Sequence, residues 1–582
     1  MTNRADVAGQ SAPVTGEAFA DIFAGWSKRA FLRAGGLSRE AVRRRPVIGI
    51  CSSWSELTPC NMGLRDVAES VRRGVTAAGG TAVVFPTISL HEQLIAPTTM
   101  LLRNLMSMDV EEMIRCSPID GVVLLAGCDK TVPAQLMGAA SAGKPAIMIT
   151  AGPRSAARFR GKPVVTDDIW SIVPELLEGT LGLEEWDTLE DSFCASVGVC
   201  NVMGTANTMA VMAESLGMAL PGSAVVPAVQ SLRSDLAERT GARAVALALQ
   251  GVTPDAVLTE DAFENALRVL VAVGGSTNAV IHLEAIARRL GLTLGLDRLE
   301  RISDDTPRVL GVRPSGRFTL DDFDDVGGVP ALLRVLAPLL HREATMGDGR
   351  TVAQVAETAG GRPNDCLRSL DDPFESDGGI VVLRGSLAPG GSIFKRSAAP
   401  SELWTHRGPA LVFGDPFTTL ERSLDSSLHA TPDTVLVVRN AGPVGAPGMP
   451  EIETVPVPIS LRQAGVRDMV CVTDGRMSGT QFGAVALHVT PEAGIGGPIG
   501  LVRDGDEIVL DARRGVLDLL VDEREIARRA IERPQTRATP VRGYEALYVE
   551  HVLQADQGCD LDFLVDPALR DNSVIRPSPN RQ

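Results

Sequence analysis

Short aliphatic segments alternate with helical patterns from about residue 46 to residue 150, and this alternation restricts the fold more than any other feature. The segments "PVIGICSS", "GGTAVVFP", "DGVVLLAG" and "KPAIMITAG" predict buried strands. A second helix is expected from about Pro133. The helix between the first two strands is predicted from the spacing of Leu64, Val67, Ala68, Val71 and Val75. Such βαβ units predict an α/β/α domain with a parallel sheet, in which sites form beyond the carboxyl ends of the strands.

After about residue 378 the pattern changes to short strands with glycine-containing turns. Examples are "DGGIVVLRGSLAPGGSIFK", "LVRDGDEIVLD" and "GVLDLLVD". These segments predict a second, β-rich and barrel-like domain. Two domains also suit a chain of 582 residues, which exceeds what one compact core usually holds. The segment "DDPFESDGG" is the predicted boundary, so residues 1–377 are assigned to the α/β domain and residues 378–582 to the barrel-like domain.

The charge of the chain argues against nucleic acid and anionic membranes as partners, because the formal net charge is -16 and no block of Lys or Arg opposes it. The first residues combine acidic side chains with no continuous apolar core, and no later apolar run approaches the roughly 20 residues of a membrane span. We therefore expect a cytoplasmic protein with small-molecule partners. In that compartment the nine cysteines are not expected to form disulfides, and some are candidates for metal ligands.

Three cysteines share one local context, because Cys60, Cys128 and Cys200 each stand just before a predicted helix. The positive end of a helix dipole favours the thiolate, which is the form that binds metal. Taken singly, each of them has an alternative role as a small buried hydrophobic residue. The remaining cysteines lack this context and are interpreted as structural: Cys51, Cys116, Cys194, Cys366, Cys471 and Cys559.

Three acidic residues and one serine are further candidates. Glu92, Asp129 and Glu451 offer hard oxygen ligands that suit Mg²⁺, although each alone also fits a solvated loop carboxylate. Lys130, taken from the residues alone, is a partner for a substrate carboxylate, since a protonated amine cannot bind a cation. Ser478 lies in a glycine-rich turn where backbone N–H groups can converge on its oxygen, and the alternative is an ordinary turn residue. No His or Asp pattern beside it indicates a catalytic triad.

Several long motifs together resemble one known family. They are "CNMGL", "PTTMLLRNLMSMDVEEMIRCSPIDGVVLLAGCDKT", "CNVMGTANTM", "GGSTNAVIHL", "GPVGAPGMPE" and "DGRMSGT". In this order they are similar to the dihydroxy-acid and sugar-acid dehydratases, a family that also contains phosphogluconate dehydratase. The resemblance runs from about residue 25 to "HVLQADQGCDLDFL" near the end of the chain.

The resemblance implies cofactors and roles for the candidate residues. It implies an iron–sulfur cluster, [2Fe-2S] rather than [4Fe-4S], held by Cys60, Cys128 and Cys200. It also implies a Mg²⁺ held by Glu92, Asp129, Glu451 and Lys130, the last as its carbamate. Ser478 matches the proposed base of the family, and Thr480 matches a substrate contact. The family further suggests a homodimer or homotetramer.

These roles give a physical reason for placing Cys128 beside Asp129. A soft thiolate selects iron and a hard carboxylate selects Mg²⁺, so adjacent residues can hold two unlike Lewis acids near one substrate. The implied reaction removes the C3 hydroxyl at iron and the C2 proton at a Ser478 alkoxide, and yields a 2-keto-3-deoxy acid. Neutral serine is a poor base, so this role requires that the alkoxide be stabilised by Mg²⁺ and nearby backbone donors.

The segments "CDKTVPA", "CNVMGTANTM" and "HVLQADQGCDLDFL" are more similar to the sugar-acid members, especially those acting on pentonates such as arabinonate or xylonate. One alternative is a branched-chain 2,3-dihydroxy-acid dehydratase. Another is a non-catalytic iron–sulfur sensor, which has no use for Ser478 or the Mg²⁺ ligands.

The chain departs from the family pattern at His91, Ala126 and Val132. His91 is predicted either to alter substrate choice or to be a loop histidine that faces solvent or packs at an interface.

Overall fold

The computed structural model describes residues 17–177, 179–452, 455–532 and 542–567. Its first sheet has four parallel strands in the order β2-β1-β3-β4. The strands are β1 (Val47–Ser52), β2 (Thr81–Pro86), β3 (Gly121–Ala126) and β4 (Ala146–Thr150). All four coincide with predicted segments, and the parallel sheet confirms the predicted α/β fold.

Helices cover this sheet, and two further helices precede it, one of 18 residues and one of 4. The helices are α1 (Glu17–Ala34), α2 (Ala41–Arg44), α3 (Leu64–Ala77), α4 (Thr99–Cys116) and α5 (Thr131–Ala142). All five apolar residues that predicted α3 are buried, which confirms its helical spacing. Helix α5 begins at Thr131, before the predicted Pro133, because proline is tolerated in the first turn of a helix.

The segment after β4 adds a small antiparallel hairpin of β5 (Ala157–Phe159) and β6 (Lys162–Val164), followed by a helical layer. This layer contains α6 (Ile169–Leu177), α7 (Leu183–Phe193), α8 (Thr205–Ser215), α9 (Ser231–Gln250), α10 (Glu260–Ala272), α11 (Asn278–Arg288), α12 (Gly295–Asp305), α13 (Leu320–Asp325), α14 (Gly328–Leu336) and α15 (Val352–Glu357). Every residue of α8 is buried, so this helix is central to the packing. Within the described ranges, no helix is long and apolar enough to cross a membrane.

The C-terminal part is built on a mixed sheet of eight strands in the order β16-β15-β9-β10-β12-β14-β8-β7. Its strands are β7 (Ile380–Leu383), β8 (Gly391–Lys395), β9 (Thr405–Phe413), β10 (Val435–Val438), β12 (Cys471–Thr473), β14 (Val485–Thr490), β15 (Glu507–Asp511) and β16 (Val516–Leu519). A separate pair is formed by β11 (Glu451–Ile452) and β13 (Arg476–Met477). Short helices flank the sheet: α16 (Thr419–Ser423), α17 (Ile459–Gln463), α18 (Glu523–Glu532) and α19 (Gly543–His551).

The first and last strands of this sheet come together. The Arg384 N–H donates to the Gly515 carbonyl at 2.8 Å, and the Leu517 N–H donates to the Arg384 carbonyl at 2.8 Å. These bonds join the end of β7 to β16 and bring the sheet close to a closed barrel. The predicted β-barrel-like domain is therefore confirmed.

Candidate active site

The turns that carry Cys60 and Cys128 pack directly against each other. Cys60 lies in a short 3-10 helix before α3, and Cys128 lies between β3 and α5. The Cys128 N–H donates to Asn61 Oδ1 at 3.1 Å. A Cβ on Gly127 would lie 2.5 Å from Asn61 Oδ1, so the two turns approach too closely for any residue larger than glycine. The Cys60 thiol is thereby brought close enough to the Cys128 thiol to raise the pKa of Cys128.

Cys200 reaches the same region from the turn before α8. It interacts electrostatically with Cys128 and Asp129, and its thiol contacts Thr166. Burial raises the pKa of Cys200 to about 12, although Arg154 opposes this shift. The contact with Cys60, followed by burial, raises the pKa of Cys128. The predicted preference of these two thiols for thiolate at the helix N-termini is therefore outweighed, and metal binding must release their protons.

The other cysteines divide by exposure, and all nine are free thiols. The interpretation as structural residues suits the four that are buried, namely Cys51, Cys366, Cys471 and Cys559. Cys116 and Cys194 are exposed and do not fill a core. The Cys194 sulfur accepts a hydrogen bond from Arg154 Nη1 at 3.1 Å, and Arg154 also acts electrostatically on Cys200.

The three predicted carboxylates surround the buried amine of Lys130. Lys130 Nζ lies 3.1 Å from Glu92 Oε2, 3.6 Å from Asp129 Oδ2 and 3.6 Å from Glu451 Oε1. These groups come from three places in the chain: the loop before α4, the turn after β3, and β11. The structure therefore brings together all four residues of the implied Mg²⁺ site around one positive atom.

The electrostatics of this cluster are those of an ammonium among carboxylates. Burial raises the pKa of Asp129 to about 6, with Lys130 lowering it and Glu92 raising it. Burial opposes ionisation of Glu92, but the Lys130 and Arg476 cations outweigh it and lower the Glu92 pKa. Burial likewise lowers the pKa of Lys130, and the Glu92 carboxylate overcomes this, so the net shift is upward. Across the described ranges no group of three or more His, Cys, Asp or Glu residues stands in metal-ligand geometry, and this applies to the three cysteines as well as to the carboxylates.

Ser478 and Thr480 lie in the turn that follows β13. Ser478 Oγ is 2.9 Å from Thr480 Oγ1 and accepts a hydrogen bond from the Thr480 N–H at 3.3 Å. The Trp170 indole N–H donates to Thr480 Oγ1 at 3.0 Å. Among the described residues the Thr480 N–H is the one backbone donor to Ser478 Oγ, so the predicted convergence of several backbone donors is not found.

The Ser478 turn packs against the N-terminus of α8, just after Cys200. A Cβ on Gly479 would lie 2.7 Å from Ser276 Oγ and 2.9 Å from the Thr205 nitrogen. Ser276 Oγ and Thr205 Oγ1 are themselves 2.9 Å apart. The structure therefore places the candidate serine close to the turn that carries Cys200, between the N-terminal layers and the barrel.

Comparison with known families now decides the relationship. The family description "Dihydroxy-acid/6-phosphogluconate dehydratase N-terminal" matches residues 45–355, and the corresponding C-terminal description matches residues 365–559. The chain belongs to the dihydroxy-acid/6-phosphogluconate dehydratase family. This dehydratase is an enzyme of the hydro-lyase class, as the sequence motifs predicted.

Individual relatives match almost the whole of the dehydratase. An L-arabonate dehydratase from Azospirillum brasilense is 46% identical over 551 residues, which are 93% of this chain and 94% of the relative. A 6-deoxy-6-sulfo-D-gluconate dehydratase from Pseudomonas putida is 44% identical, over 94% and 95% of the two chains. A dihydroxy-acid dehydratase from Ignicoccus hospitalis is 40% identical, over 92% and 97%.

Two residues that sequence reasoning did not assign hold Glu451 in place in this dehydratase. Arg476 Nη1 and Asn278 Nδ2 each donate to Glu451 Oε1 at 2.7 Å. Asn278 Nδ2 also donates to Thr205 Oγ1 at 3.1 Å, and Thr205 Oγ1 contacts Ser276. Arg476 lies in the motif "DGRMSGT" and Asn278 in "GGSTNAVIHL". Both motifs are recognisable in the sequence, but neither residue can be assigned a function from the motif alone. These side chains connect the carboxylate cluster to the Ser478 turn.

His91 stands beside the carboxylate cluster of the dehydratase. Its ring is half-buried, and burial lowers its pKa while Asp129 and Glu92 oppose the shift. His91 Nδ1 accepts a hydrogen bond from the Gln93 N–H at 3.3 Å. The other two departures from the family pattern, Ala126 and Val132, are buried in β3 and α5 and do not face solvent.

Proposed function

We propose that this protein is an iron–sulfur- and Mg²⁺-dependent sugar-acid dehydratase that converts an aldonate into its 2-keto-3-deoxy acid. The proposal rests chiefly on one observation. The thiol group and the carboxylate group meet at the adjacent residues Cys128 and Asp129, and the Ser478 turn packs against the N-terminus of α8, a few residues after Cys200. A pentonate such as arabinonate or xylonate is the proposed substrate, which places the enzyme in sugar-acid metabolism.

The donor sets fit the two cofactors. Cys60, Cys128 and Cys200 are free thiols and would supply three soft sulfur ligands for a [2Fe-2S] cluster. Three carboxylates already converge on a single cation, the Lys130 ammonium, within 3.6 Å. Carbamylation of Lys130 converts this amine into a fourth oxygen ligand for Mg²⁺. When bound, the two metal centres supply Lewis acidity for the departing C3 hydroxyl and for the substrate carboxylate and C2 hydroxyl.

The protein residues then bind the substrate and move its proton. Ser478 Oγ takes the proton from C2, and the Thr480 N–H supports the negative charge on this oxygen. Thr480 contacts the substrate while Trp170 fixes its hydroxyl group. Arg476 and Asn278 keep Glu451 oriented, because each donates to the same carboxylate oxygen. Loss of the C2 proton and the C3 hydroxyl gives an enol, which becomes the 2-keto-3-deoxy acid.

Two observations support a sugar acid over a branched-chain acid. Relatives named for L-arabonate and 6-deoxy-6-sulfo-D-gluconate show 46% and 44% identity, against 40% for the dihydroxy-acid dehydratase from Ignicoccus. In addition, a cleft of about 680 Å³ beside Thr480 has a mixed lining, in which apolar residues such as Trp170 and Phe482 alternate with polar and charged groups such as Glu175 and Gln481. The polar groups of this lining can form hydrogen bonds with sugar hydroxyls, which an aliphatic chain lacks.

The substrate is tested by turnover of anaerobically purified protein on a panel of pentonates, hexonates and branched-chain 2,3-dihydroxy acids. We expect the highest kcat/KM on a pentonate. A preference for the branched-chain acid would replace the sugar-acid assignment, and no turnover on any member, in protein with full iron content, would favour the iron–sulfur sensor. Intact mass under native conditions tests Lys130, since its carbamate adds one carboxylate to the chain.

The base is tested by Ser478→Ala, which removes one oxygen that holds neither cofactor. Iron and Mg²⁺ content and substrate affinity should persist, while kcat should fall by about 10²-fold to 10⁴-fold. Substrate deuterated at C2 should react more slowly with the wild-type enzyme if removal of this proton limits the rate. Activity within about threefold of wild type, far from the loss expected for a missing base, would assign the proton to another group.

A further inference from the structure

A second, enclosed cavity lies behind Ser478, on the side of the barrel. Its polar lining is formed by Ser276, Thr277, Ser478, Gln481 and Lys395. Gln481 also borders the open cleft, so this side chain separates the two spaces. The cavity has room for a water molecule but none for a sugar chain. Its polar groups therefore serve Ser478 and do not bind the substrate directly.

Lys395 is an unusual residue to find in such a place. It ends strand β8, pairs with Ile380 of β7 and is only 6% exposed. Within the described ranges its amine forms no ion pair or hydrogen bond. The charged groups that act on it are Arg308 and Glu375, which pair with each other at 2.8 Å. A buried lysine without a partner is costly in its charged form, so this position favours the neutral amine.

The titration of Lys395 agrees with its surroundings. Burial, together with the Arg308 cation, lowers the pKa of the Lys395 amine to about 7, against the opposing effect of the Glu375 carboxylate. At neutral pH a large fraction of the amine is thus unprotonated and able to accept a proton. Gln481 adds a second buried polar group, because neither its amide nitrogen nor its amide oxygen has a hydrogen-bond partner among the described residues. This amide is free to hold a water between Lys395 and the serine.

We propose that Lys395 takes the hydroxyl proton of Ser478 through a water held by Gln481, and so prepares the serine to receive the substrate proton. The inference rests on the proposed role of Ser478 as base. The Ser478 O–H bond breaks, an N–H bond forms on Lys395, and the resulting alkoxide then takes the proton from C2. The ammonium later returns its proton through the same water to solvent. Lys395 touches no substrate atom and is a positioning residue for the serine proton.

The test compares Lys395→Met with Lys395→Arg and a matched control. Methionine keeps the length and suits a buried position, while arginine remains protonated at all accessible pH values. Lys162→Met, in the exposed part of β6, is the control. Both Lys395 variants should lose about 10²-fold or more in kcat with little change in KM and with full iron and Mg²⁺ content. The control should retain the wild-type kcat.

The pH dependence of kcat/KM distinguishes this role from a structural one, because replacing a purely structural lysine would not change it. Because only the neutral amine accepts a proton, wild-type kcat/KM should fall as the pH drops through about 7, and the control should show the same limb. Lys395→Met should lose this limb. If that variant does not fold, Gln481→Leu replaces it and should lower kcat, since it removes the group that holds the water. Wild-type kcat, or an unchanged profile in a folded Lys395→Met protein, would overturn the proposal.

The double variant separates this inference from the proposed function. If both residues act on one proton, adding Lys395→Met to Ser478→Ala should cause no further loss of kcat. A large loss for Ser478→Ala together with full activity for Lys395→Met would refute only the role of Lys395. Near-wild-type activity of Ser478→Ala would instead refute the role of Ser478 as base, and with it the role of Lys395.

Discussion

Substitution of Gly479 by alanine should slow the reaction without removing any functional group. The added Cβ would lie 2.7 Å from Ser276 Oγ, 2.8 Å from Ser276 Cβ and 2.9 Å from the Thr205 nitrogen, whereas ordinary contact begins at 3.4 Å. The turn must therefore move away from α8 by about 0.5–0.7 Å. Ser478 and Thr480 flank Gly479 and would move with it.

The expected magnitude follows from the size of this displacement. A misplacement of about 1 Å can cost about 10²-fold in rate, so we expect a 10-fold to 100-fold loss of kcat. Overpacking of this kind usually costs about 1–3 kcal/mol in the free energy of unfolding, which leaves a folded enzyme. Steady-state kcat and KM on the preferred aldonate measure the effect, with iron and Mg²⁺ content determined on the same sample.

Gly414→Ala is the matched control, because a Cβ at Gly414 meets nothing within 4 Å. This control should retain wild-type kcat and thermal stability. A Gly479→Ala protein that is folded, fully loaded with cofactors and within about twofold of wild-type kcat would refute the reasoning, since a sub-ångström shift of a base should cost more.

Three further predictions concern the candidate ligands and substrate choice. Cys200→Ser should abolish the visible iron–sulfur absorption. Cys194→Ser is the control and should retain this absorption, although Arg154 interacts with both cysteines. Full iron content in the Cys200→Ser protein would reject Cys200 as a ligand. Asp129→Asn should weaken Mg²⁺ binding and lower turnover but leave the cluster intact, and turnover unaffected by this change and by chelators would argue against a Mg²⁺ role. His91→Gly should change the ratio of kcat/KM between pentonates and hexonates, because His91 adjoins Glu92 and Asp129; an unchanged ratio would leave it a loop histidine.

Much of the fold could be predicted from the sequence, because its signals are local. The spacing of Leu64, Val67 and Val71 is repeated over one helix, and the aliphatic segments before Asp129 fill a strand on both faces. The closure of the barrel was only suggested, since the pairing of Arg384 with Gly515 joins distant parts of the chain. No local pattern encodes such a contact.

The candidate site shows the same difference between residues that a local pattern reveals and residues that only a long-range contact reveals. Cys128 and Asp129 stand out because they follow a buried strand and precede a helix. Arg476 and Lys395 do not stand out, because a buried arginine or lysine is recognised only by what surrounds it. Arg476 finds Glu451 across a two-stranded pair, and Lys395 meets the Ser478 turn across a cavity. The effect of the Cys60 thiol on the pKa of Cys128 is likewise a contact between separate turns, which the helix pattern beside Cys128 does not reveal.

The closure of the barrel through β7 and β16 also has a consequence for the order in which the protein is made. The N-terminal sheet and its cysteine turns are complete early in synthesis, whereas the barrel keeps two open strand edges until β16 leaves the ribosome. Open edges are templates for pairing with other chains, so a message truncated before Val516 should yield an aggregation-prone product. Glu451 and Ser478 both belong to the C-terminal part, so they join the N-terminal thiols and carboxylates only when that part folds.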